Sequence, residues 1–595
     1  MDRGINLLVV KKLLLISFPL FFAFPISIHA GKCGTPLQFS QSKNLPQKTF
    51  KTSALGMRVL TSADDLRCRT LETDHFLIHY SLRGIHRVRL DDEDKPLMKT
   101  VDSLYAVFSN KAFSSTRLDS AVYATLDLLK APQPKYVLKT QEYFEAARHY
   151  YVDILGMLAP QASISSAQYK LTKNYPKKFP VDLINLSSFT GFFGPYYGIT
   201  NRPDELSITF ENDFLWNTKL DSNGNSIGTG IKSEIPEKVF HDYSIDWEMG
   251  IKVTAYHEFY HAIQFTYNPN PPRYHAWYEL SATGMEERNA PEVNDYFQYL
   301  PCILKNPSII SLTGLFPGPC THEPMYGNVI FHVFLTERLD SIFDVKVWKS
   351  LSKNGDNLRL GLENTFAAYG KDMQSLYADY TTQLTFSGLP FNPFTKPFSS
   401  DTPLWTTLAI DTLDLSDATP FRKISIAPLT FIALKISWNS TSLLKSMRLN
   451  GFNSIQKIFS NSDTTIIENL NALEIPLLLP PTGFDNYLLV LANSSFSDQA
   501  SAEIKTVESR FYAFPNPIHT QGKDPLLFFP SKEMTFPTFV EIYSENGVLV
   551  RTINFPDQNA SLLWDMKDEK NIKVKPGIYY YRLEKETFRP LVLLR

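Results

Sequence analysis

The chain has 595 residues, of which 43% are hydrophobic and 20% charged, and its formal net charge is −2. This length predicts several domains, and the apolar content is ample for packed cores. The balanced charge, without basic runs interleaved with aromatic residues, argues against nucleic acid as a partner.

The first thirty residues have the composition of a secretory signal peptide. Lys11 and Lys12 precede an apolar run from Leu13 to Ile28, and a small residue, Ala30, ends the segment. We expect cleavage after Ala30. A retained membrane anchor is the alternative, which the short apolar run of about sixteen residues disfavours. With no other span expected, the mature protein is predicted to be secreted or held at the cell surface.

Four cysteines, Cys33, Cys68, Cys302 and Cys320, fit an exported chain that contains disulfides. The sequence alone leaves their pairing open. The pairing of nearest neighbours joins Cys33 with Cys68 and Cys302 with Cys320. Lys32 argues against a lipid anchor at Cys33, because a small residue is expected at that position.

The region before residue 160 has one clear strand and one clear helix. Residues 75 to 80 form the strand, and we assign His75 and His79 on it to structure rather than to a site. Thr140 is predicted to cap a helix from Gln141 to about Leu158, whose aromatic residues face the core.

Two further strands, Phe179 to Leu186 and Leu206 to Phe214, flank a glycine-rich segment that ends at Gly198. Within the second, Ser207 to Asn212 is our candidate for an edge strand that binds substrate backbone by strand addition. Asp221 to Asn225 has too few carboxylates for a calcium loop and is predicted to be a turn.

The most informative motif is His-Glu-x-x-His within Thr254 to Gln264. His257 and His261 are four residues apart, which on a helix puts both imidazoles on one face, where they can bind one metal ion. Glu258 lies beside them, where a carboxylate can take a proton from water at the metal. The motif therefore predicts a zinc hydrolase, although two buried structural histidines remain the alternative.

The third ligand distinguishes the classes of such sites. Metzincins carry glycine and histidine where this chain has Gln264 and Tyr267, so that class is excluded. The prolines between residues 268 and 272 end the helix and turn the chain.

A second helix then supplies a carboxylate, and Glu279 is our preferred third ligand. Glu286 lies seven residues further on the same face, so it is either a second candidate for the ligand or an outer partner that holds a histidine. For both Glu286 and Glu287, a place on a solvated helix face fits the sequence as well as any role in the site does. His275, in the turn before this helix, is a further possible ligand.

A side chain that stabilises the oxyanion of the tetrahedral intermediate is also needed. Tyr326, at the start of an apolar helix that reaches Leu335, is our candidate, with His322 as the second choice. A packing role for Tyr326 is the alternative.

Several segments between residues 33 and 388 together resemble a family of secreted bacterial zinc metallopeptidases of the gluzincin class. They are residues 257–264, Trp277-Tyr-Glu279, Val293 to Leu300 and Tyr326 to Phe331. The resemblance implies that His257, His261 and Glu279 are zinc ligands and that Glu258 is the general base. No Gly-Ala-Met-Glu-Asn motif occurs, which favours an endopeptidase over an aminopeptidase.

After two amphipathic helices, near Asn357 to Tyr369 and Met373 to Leu384, the composition changes. Residues 389–404 are rich in proline and indicate a linker. Short strands such as Ile424 to Trp438 and Tyr487 to Ala492 then predict a β-sandwich over residues 405–505.

The last ninety residues, 506–595, form another β unit. Asn546-Gly547 between strands is a strong hairpin signal. With Tyr512 to Pro517, Leu563-Trp-Asp565 and Pro576 to Arg582, this region resembles the immunoglobulin-like C-terminal sorting domain of type IX secretion substrates. The resemblance implies export by that machinery. Met566 and Asn571 stand where glycine is usual.

The sequence thus predicts a multidomain chain: an α+β zincin-like metallopeptidase domain over residues 31–388, followed by two β-sandwich, immunoglobulin-like domains. The expected function is zinc-dependent hydrolysis of a protein or peptide substrate by a monomer. The alternative is a cell-surface binding or adhesion protein in which the peptidase-like site is vestigial.

Overall fold

The structure is a computed structural model of the chain. The residues it describes are 31–33, 68–110, 115–160, 178–186, 196–201, 206–215, 241–268, 275–312, 323–354, 357–389, 399–415, 421–437, 445–461, 464–470, 474–477, 485–506, 512–514, 516, 518–519, 526–529, 538–555, 562–583 and 588–594. They divide into two compact units: residues before 274 with 281–298, and residues 275–280 with those from 299 on. The predicted signal peptide, the turn at 221–225 and most of the linker lie outside the described residues.

A mixed sheet forms the centre of the first unit. Its strands are β1 (Gly31–Cys33), β2 (Arg69–Glu72), β3 (Phe76–Tyr80), β4 (Phe179–Ile184), β5 (Tyr196–Thr200) and β6 (Ile208–Glu211). Their spatial order is β1-β5-β6-β4-β3-β2. Neighbours β3, β4 and β6 run parallel, whereas β5 is antiparallel to β6 and β1 is parallel to β5.

The prediction that Ser207 to Asn212 is an edge strand is wrong. Strand β6 lies between β5 and β4, and all four of its residues are buried. Strand β5, next to β6 in the sheet, packs against the motif helix. Covered strands carry apolar side chains on both faces, so a sequence pattern alone does not reveal their position in a sheet.

The helices before residue 290 are α1 (Lys95–Ser109), α2 (Ser115–Leu128), α3 (Lys135–Arg148), α4 (Trp247–Tyr267) and α5 (His275–Asn289). Helix α3 begins after Pro134 and continues as a π-helical turn, His149–Ile154. The predicted cap at Thr140 is therefore wrong: its hydroxyl lies inside the helix and donates to the Tyr136 carbonyl at 2.9 Å. Threonine often makes this bond within a helix, so its presence alone does not locate a helix start.

Helix α4 carries the His-Glu-x-x-His motif, and it spans the segment predicted to be helical. Apart from Glu248, Met249, Lys252 and Thr266, all of its residues are buried, as expected for a helix that is covered on every side. Phe259 is central to this packing. Its ring lies 5.2 Å from that of Phe76 on β3, 5.8 Å from Phe179 on β4 and 6.4 Å from Tyr151. These contacts hold the helix at a fixed position against the sheet.

The second unit continues with helices α6 (Leu300–Lys305), α7 (Glu323–Gly327), α8 (Val329–Arg338), α9 (Phe343–Lys353), α10 (Leu358–Ala368) and α11 (Met373–Leu384). The last two confirm the predicted amphipathic helices. Asn357 caps α10 by accepting from the Leu360 amide at 3.1 Å, and Asp372 caps α11 by accepting from the Ser375 amide at 2.7 Å.

Two sheets of mostly antiparallel strands follow. Their strands are β7 (Asp411–Asp414), β8 (Phe421–Ile426), β9 (Thr430–Ser437), β10 (Lys445–Asn450), β11 (Ser454–Ser460), β12 (Thr465–Leu470), β13 (Glu474–Leu477), β14 (Asn486–Asn493) and β15 (Ala500–Thr506). The orders are β13-β10-β15-β8 and β12-β11-β14-β9-β7, and residues of both sheets form one hydrophobic core. The predicted single strand Ile424 to Trp438 is wrong, because Leu429, with φ of 53°, turns the chain between β8 and β9.

The C-terminal strands are β16 (Tyr512–Phe514), β17 (Ile518–His519), β18 (Leu526–Phe529), β19 (Thr538–Ser544), β20 (Leu549–Phe555), β21 (Leu562–Trp564), β22 (Gly577–Leu583) and β23 (Arg589–Leu594). They form sheets β16-β18-β21 and β17-β23-β22-β19-β20 around one core. The predicted hairpin is present: β19 and β20 are antiparallel and Gly547 has φ of 74°. Met566 (φ 57°) and Asn571 (φ 63°) adopt the left-handed conformation that glycine tolerates best.

Two predictions about cysteines and membranes can be compared with the described residues. Cys68 is a thiol and not half of a disulfide, so the pairing of Cys33 with Cys68 is wrong. Cys302 is disulfide-bonded, and its partner lies outside the described side chains.

No helix in the described part of the chain is long and apolar enough to cross a membrane.

Candidate metal centre

The two histidines of the motif face each other on α4. Their ring centroids are 4.6 Å apart, and the Nε2 atom of His257 lies 3.0 Å from the Nε2 atom of His261. Both side chains are fully buried. The four-residue spacing on a helix explains the alignment, as the sequence predicts.

The other nitrogen of each ring is held by an acceptor. Nδ1 of His257 lies 2.5 Å from Glu286 Oε1, and Nδ1 of His261 lies 2.7 Å from Gln264 Oε1. The Gln264 amide nitrogen in turn donates to Ser281 Oγ at 3.1 Å. Acceptors beside both Nδ1 atoms favour the tautomers in which Nδ1 carries the proton and Nε2 is left to bind a metal ion.

Glu279, on the second turn of α5, completes a group that can hold a metal ion. One ligand atom each from His257, His261 and Glu279 all lie within 4.8 Å of one another, and the Glu279 side chain is only 1% exposed. Two imidazoles and one carboxylate are the donor set of a catalytic zinc site, in which one position stays open for water or substrate. The residues present therefore fit zinc.

Glu286 is a positioning residue in this arrangement, because its carboxylate orients His257. We expect Glu286→Ala to weaken zinc affinity about 10- to 100-fold, as loss of such outer partners usually does. Glu286→Gln, which keeps an acceptor for Nδ1–H, should recover part of the loss. Competition with a chromogenic chelator measures the affinity.

Glu292→Ala is the matched control for Glu286→Ala. The Glu292 side chain is 52% exposed and pairs with Lys252 at 2.5 Å, so its loss should leave zinc affinity unchanged. Equal affinities for Glu286→Ala and the wild type would contradict the positioning role.

The Glu258 side chain is buried beside the three candidate ligands. Strand β5 holds one of its two carboxylate oxygens. The hydroxyl of Thr200, at the end of β5, lies 2.7 Å from both the backbone oxygen and Oε2 of Glu258. The second carboxylate oxygen, Oε1, is buried and has no hydrogen-bond partner among the described residues. Such an oxygen is costly to leave unsatisfied, and it is placed to accept a proton.

Strand β5 can lie this close to Glu258 because residue 198 is glycine. A Cβ atom on Gly198 would lie 2.5 Å from Glu258 Cγ and 2.9 Å from its Oε1. Any side chain at this position would therefore displace the carboxylate.

Aromatic residues hold the backbone next to the candidate ligands. The Tyr151 hydroxyl donates to the Tyr256 carbonyl at 2.9 Å, one residue before His257. Burial raises the pKa of Tyr151 well above its ordinary value, so the hydroxyl keeps its proton. Tyr243, whose pKa is raised by burial and by the neighbouring carboxylate, likewise donates to Asp295.

The remaining predicted site residues are placed as follows. Tyr326 is buried in α7, with its ring 5.0 Å from that of Tyr299. His275 begins α5 rather than preceding it, and its side chain lies outside the described part of the chain, as does His322. Glu287 is half-buried rather than solvated. Tyr326 therefore stays a prediction as the oxyanion donor.

Sequence reasoning missed Gly198, Thr200 and Gln264 as members of this site. Gln264 was detectable, since an acceptor three residues after His261 lies on the same face of a helix. Gly198 and Thr200 carry no local signal, because they approach Glu258 only through the packing of β5 on α4.

Comparisons with known proteins add little. No family model matches this chain, and no curated protein is similar to it in sequence. Among solved structures, one that matches is PorZ, described as a bacterial surface component of the type-IX secretion system of Porphyromonas gingivalis. The identity is 14%, the match spans 18% of this chain and 14% of the PorZ chain, and the TM-score is 0.13. With that TM-score the match indicates neither fold nor function.

Proposed function

We propose that this protein is an exported zinc-dependent endopeptidase whose ligands are His257, His261 and Glu279. The observation that carries the proposal is the buried group in which one ligand atom each of His257, His261 and Glu279 lie within 4.8 Å of one another, while acceptors hold Nδ1 of both histidines. When bound, zinc supplies Lewis-acid chemistry: it makes water a stronger acid and stabilises negative charge on a carbonyl oxygen.

Glu258 is the general base in this proposal. Its Oε1 accepts the proton of the attacking water, while the Thr200 hydroxyl holds the other carboxylate oxygen in place. Glu258 then donates this proton to the amine that leaves as the peptide bond breaks. Tyr326 is proposed to donate to the oxyanion.

Strand β5 is the proposed binding site for the substrate backbone. It is antiparallel to β6 and packs on α4, and its outer side accepts an extended segment, as its pairing with β1 illustrates. An unpaired strand edge binds a peptide through main-chain hydrogen bonds, with limited dependence on its side chains.

The β regions after residue 405 are proposed to serve export and attachment rather than catalysis. The shared cores of the paired sheets support immunoglobulin-like sandwiches, and the hairpin at Gly547 supports the resemblance to a type IX sorting domain. The zincin-like fold of the residues around α4 belongs to the same proposal.

Hydrolysis of a defined peptide mixture, read by mass spectrometry, tests the function. We expect new termini inside the peptides, loss of cleavage with a chelator and recovery with added zinc. A folded, zinc-loaded chain that cleaves none of them would contradict the proposal and favour the adhesion protein.

A further inference from the structure

A polar cavity lies in the second unit, between helix α11 and strands β11 and β12. Its volume is about 610 Å³, and sites for small ligands usually measure roughly 300–1,000 Å³. The side chains that line it come from residues 372–382 on the helix side and from residues 453–456 and 467–470 on the sheet side. None of them belongs to the candidate metal centre.

Two side-chain amides connect the walls of this cavity. The Gln456 amide nitrogen donates to the Ala378 carbonyl at 3.1 Å, and the Gln374 amide nitrogen donates to the Asn453 carbonyl. Because a carbonyl oxygen must face a donor, these contacts determine which end of each amide is the nitrogen. The oxygen atom of each amide is therefore left as an acceptor.

The acceptor on Gln456 is the observation that points to a ligand. Gln456 is only 2% exposed, and its Oε1 atom is buried with no hydrogen-bond partner in the part of the chain that the structure describes. Such an oxygen is costly to leave unsatisfied. Since Gln456 lines the cavity, a donor group of a bound molecule can satisfy it.

The charge of the cavity disfavours an anionic ligand. Asp372 and Asp379 line it, and the lining residues include no lysine, arginine or histidine. Arg338 already neutralises Asp379, at 2.9 Å, whereas Asp372 caps α11 with one oxygen and is exposed to solvent. A phosphate, sulfate or carboxylate would be repelled, and the attraction for a cation is screened. A neutral ligand fits best.

The remaining lining residues combine an apolar wall with a further amide. Ile455, Ile467 and Leu470 supply the apolar surface, and Asn469 is exposed and can both donate and accept. A sugar ring matches this combination, because hydroxyl groups surround its edge and C–H groups cover its faces. Its hydroxyls can donate to the Gln456 oxygen while its C–H groups pack on the aliphatic side chains.

We propose that this cavity binds a neutral oligosaccharide, with Gln456 Oε1 accepting a hydrogen bond from one sugar hydroxyl and the Asn469 amide bonding to another. The inference goes beyond the proposed function and does not depend on it. A chain with such a site is held at glycan-bearing surfaces independently of any reaction at the metal centre.

Binding of the purified chain to an array of neutral hexose and N-acetylhexosamine oligosaccharides tests the proposal. Isothermal titration calorimetry with the strongest binder then gives the affinity of each variant. Asn469→Ala should weaken binding about threefold to tenfold, the usual effect of losing one hydrogen bond. Gln456→Leu should weaken it at least about tenfold, because a sugar hydroxyl would then be buried without an acceptor.

Glu468→Gln is the matched control for these variants. Glu468 precedes Asn469 on β12 and is likewise exposed, but it does not line the cavity. Its affinity for the sugar should equal that of the wild type. Circular dichroism shows which variants are folded, and Asn469→Ala, at an exposed position, should fold even if Gln456→Leu does not.

The outcomes separate this inference from the proposed function. If no oligosaccharide bound the folded wild type, or if the wild type and both variants bound with equal affinity, the inference would be overturned and the peptidase would stand. An unstructured peptide that bound in place of the sugar, and more weakly to Asn469→Ala, would also overturn it. Sugar binding by a zinc-loaded chain that cleaves no peptide would support the inference and refute the peptidase.

Discussion

Replacement of Glu258 by glutamine is expected to lower peptide hydrolysis about 10²- to 10⁴-fold, the usual contribution of a general base. Glutamine keeps the shape of the side chain and can still bond to Thr200, but it cannot accept a proton from water. The zinc ligands are untouched, so the variant should bind as much zinc as the wild type. Initial rates on one fluorogenic peptide, with metal content measured on the same samples, give both quantities.

Glu292→Gln is the control for the Glu258 variant, because this exposed carboxylate pairs with Lys252 away from the motif. It should hydrolyse the peptide at the wild-type rate. If Glu258→Gln kept more than about a tenth of the wild-type rate with zinc bound, another group would have to be the base.

A methyl group added at residue 198 is expected to cost about 10²-fold in rate, since misplacement of a catalytic group by about 1 Å has effects of that size. In Gly198→Ala the new Cβ atom would lie 2.5 Å from Glu258 Cγ, so the carboxylate must move. The backbone of Gly198 does not have the left-handed conformation that strains alanine. The expected effect therefore comes from the contact of the new Cβ atom with Glu258 and not from backbone strain.

Gly577→Ala is a matched control for Gly198→Ala. Gly577 also lies in a strand, but a Cβ atom there would meet only Tyr579, at 3.9 Å. Its rate and melting temperature should stay close to those of the parent chain. A Gly198→Ala chain that melts like its parent and hydrolyses at the same rate would show that β5 does not control the position of Glu258.

The helices that carry the site were predictable because their signals are local. Apolar spacing and the prolines after Asn268 delimit α4, and α11 has the predicted bounds, Met373 to Leu384. The sequence left three roles open for Glu286: a metal ligand, an outer partner of a histidine, or part of a solvated helix face. Its contact with His257 is the second of these. Helical periodicity determines which residues share a face, and here it predicted which side chains of α4 and α5 lie together in the candidate metal centre.

The sheet was less predictable because its order depends on contacts distant in sequence. Strand β5 lies at the end of a glycine-rich segment that has no strand pattern, and β6 looks like an edge strand although it is central. Gly198 is informative only once β5 and α4 are side by side. The error at Cys68 has the same origin, because sequence proximity does not determine which sulfur atoms meet.

The zinc content of the purified, folded chain after dialysis against zinc tests the central claim most directly. We predict one zinc ion per chain for the wild type and none for the double variant His257→Ala/His261→Ala, with circular dichroism showing that both are folded. A folded wild type that retains no zinc, or a double variant that retains one ion, would contradict the assignment of His257, His261 and Glu279 as its ligands.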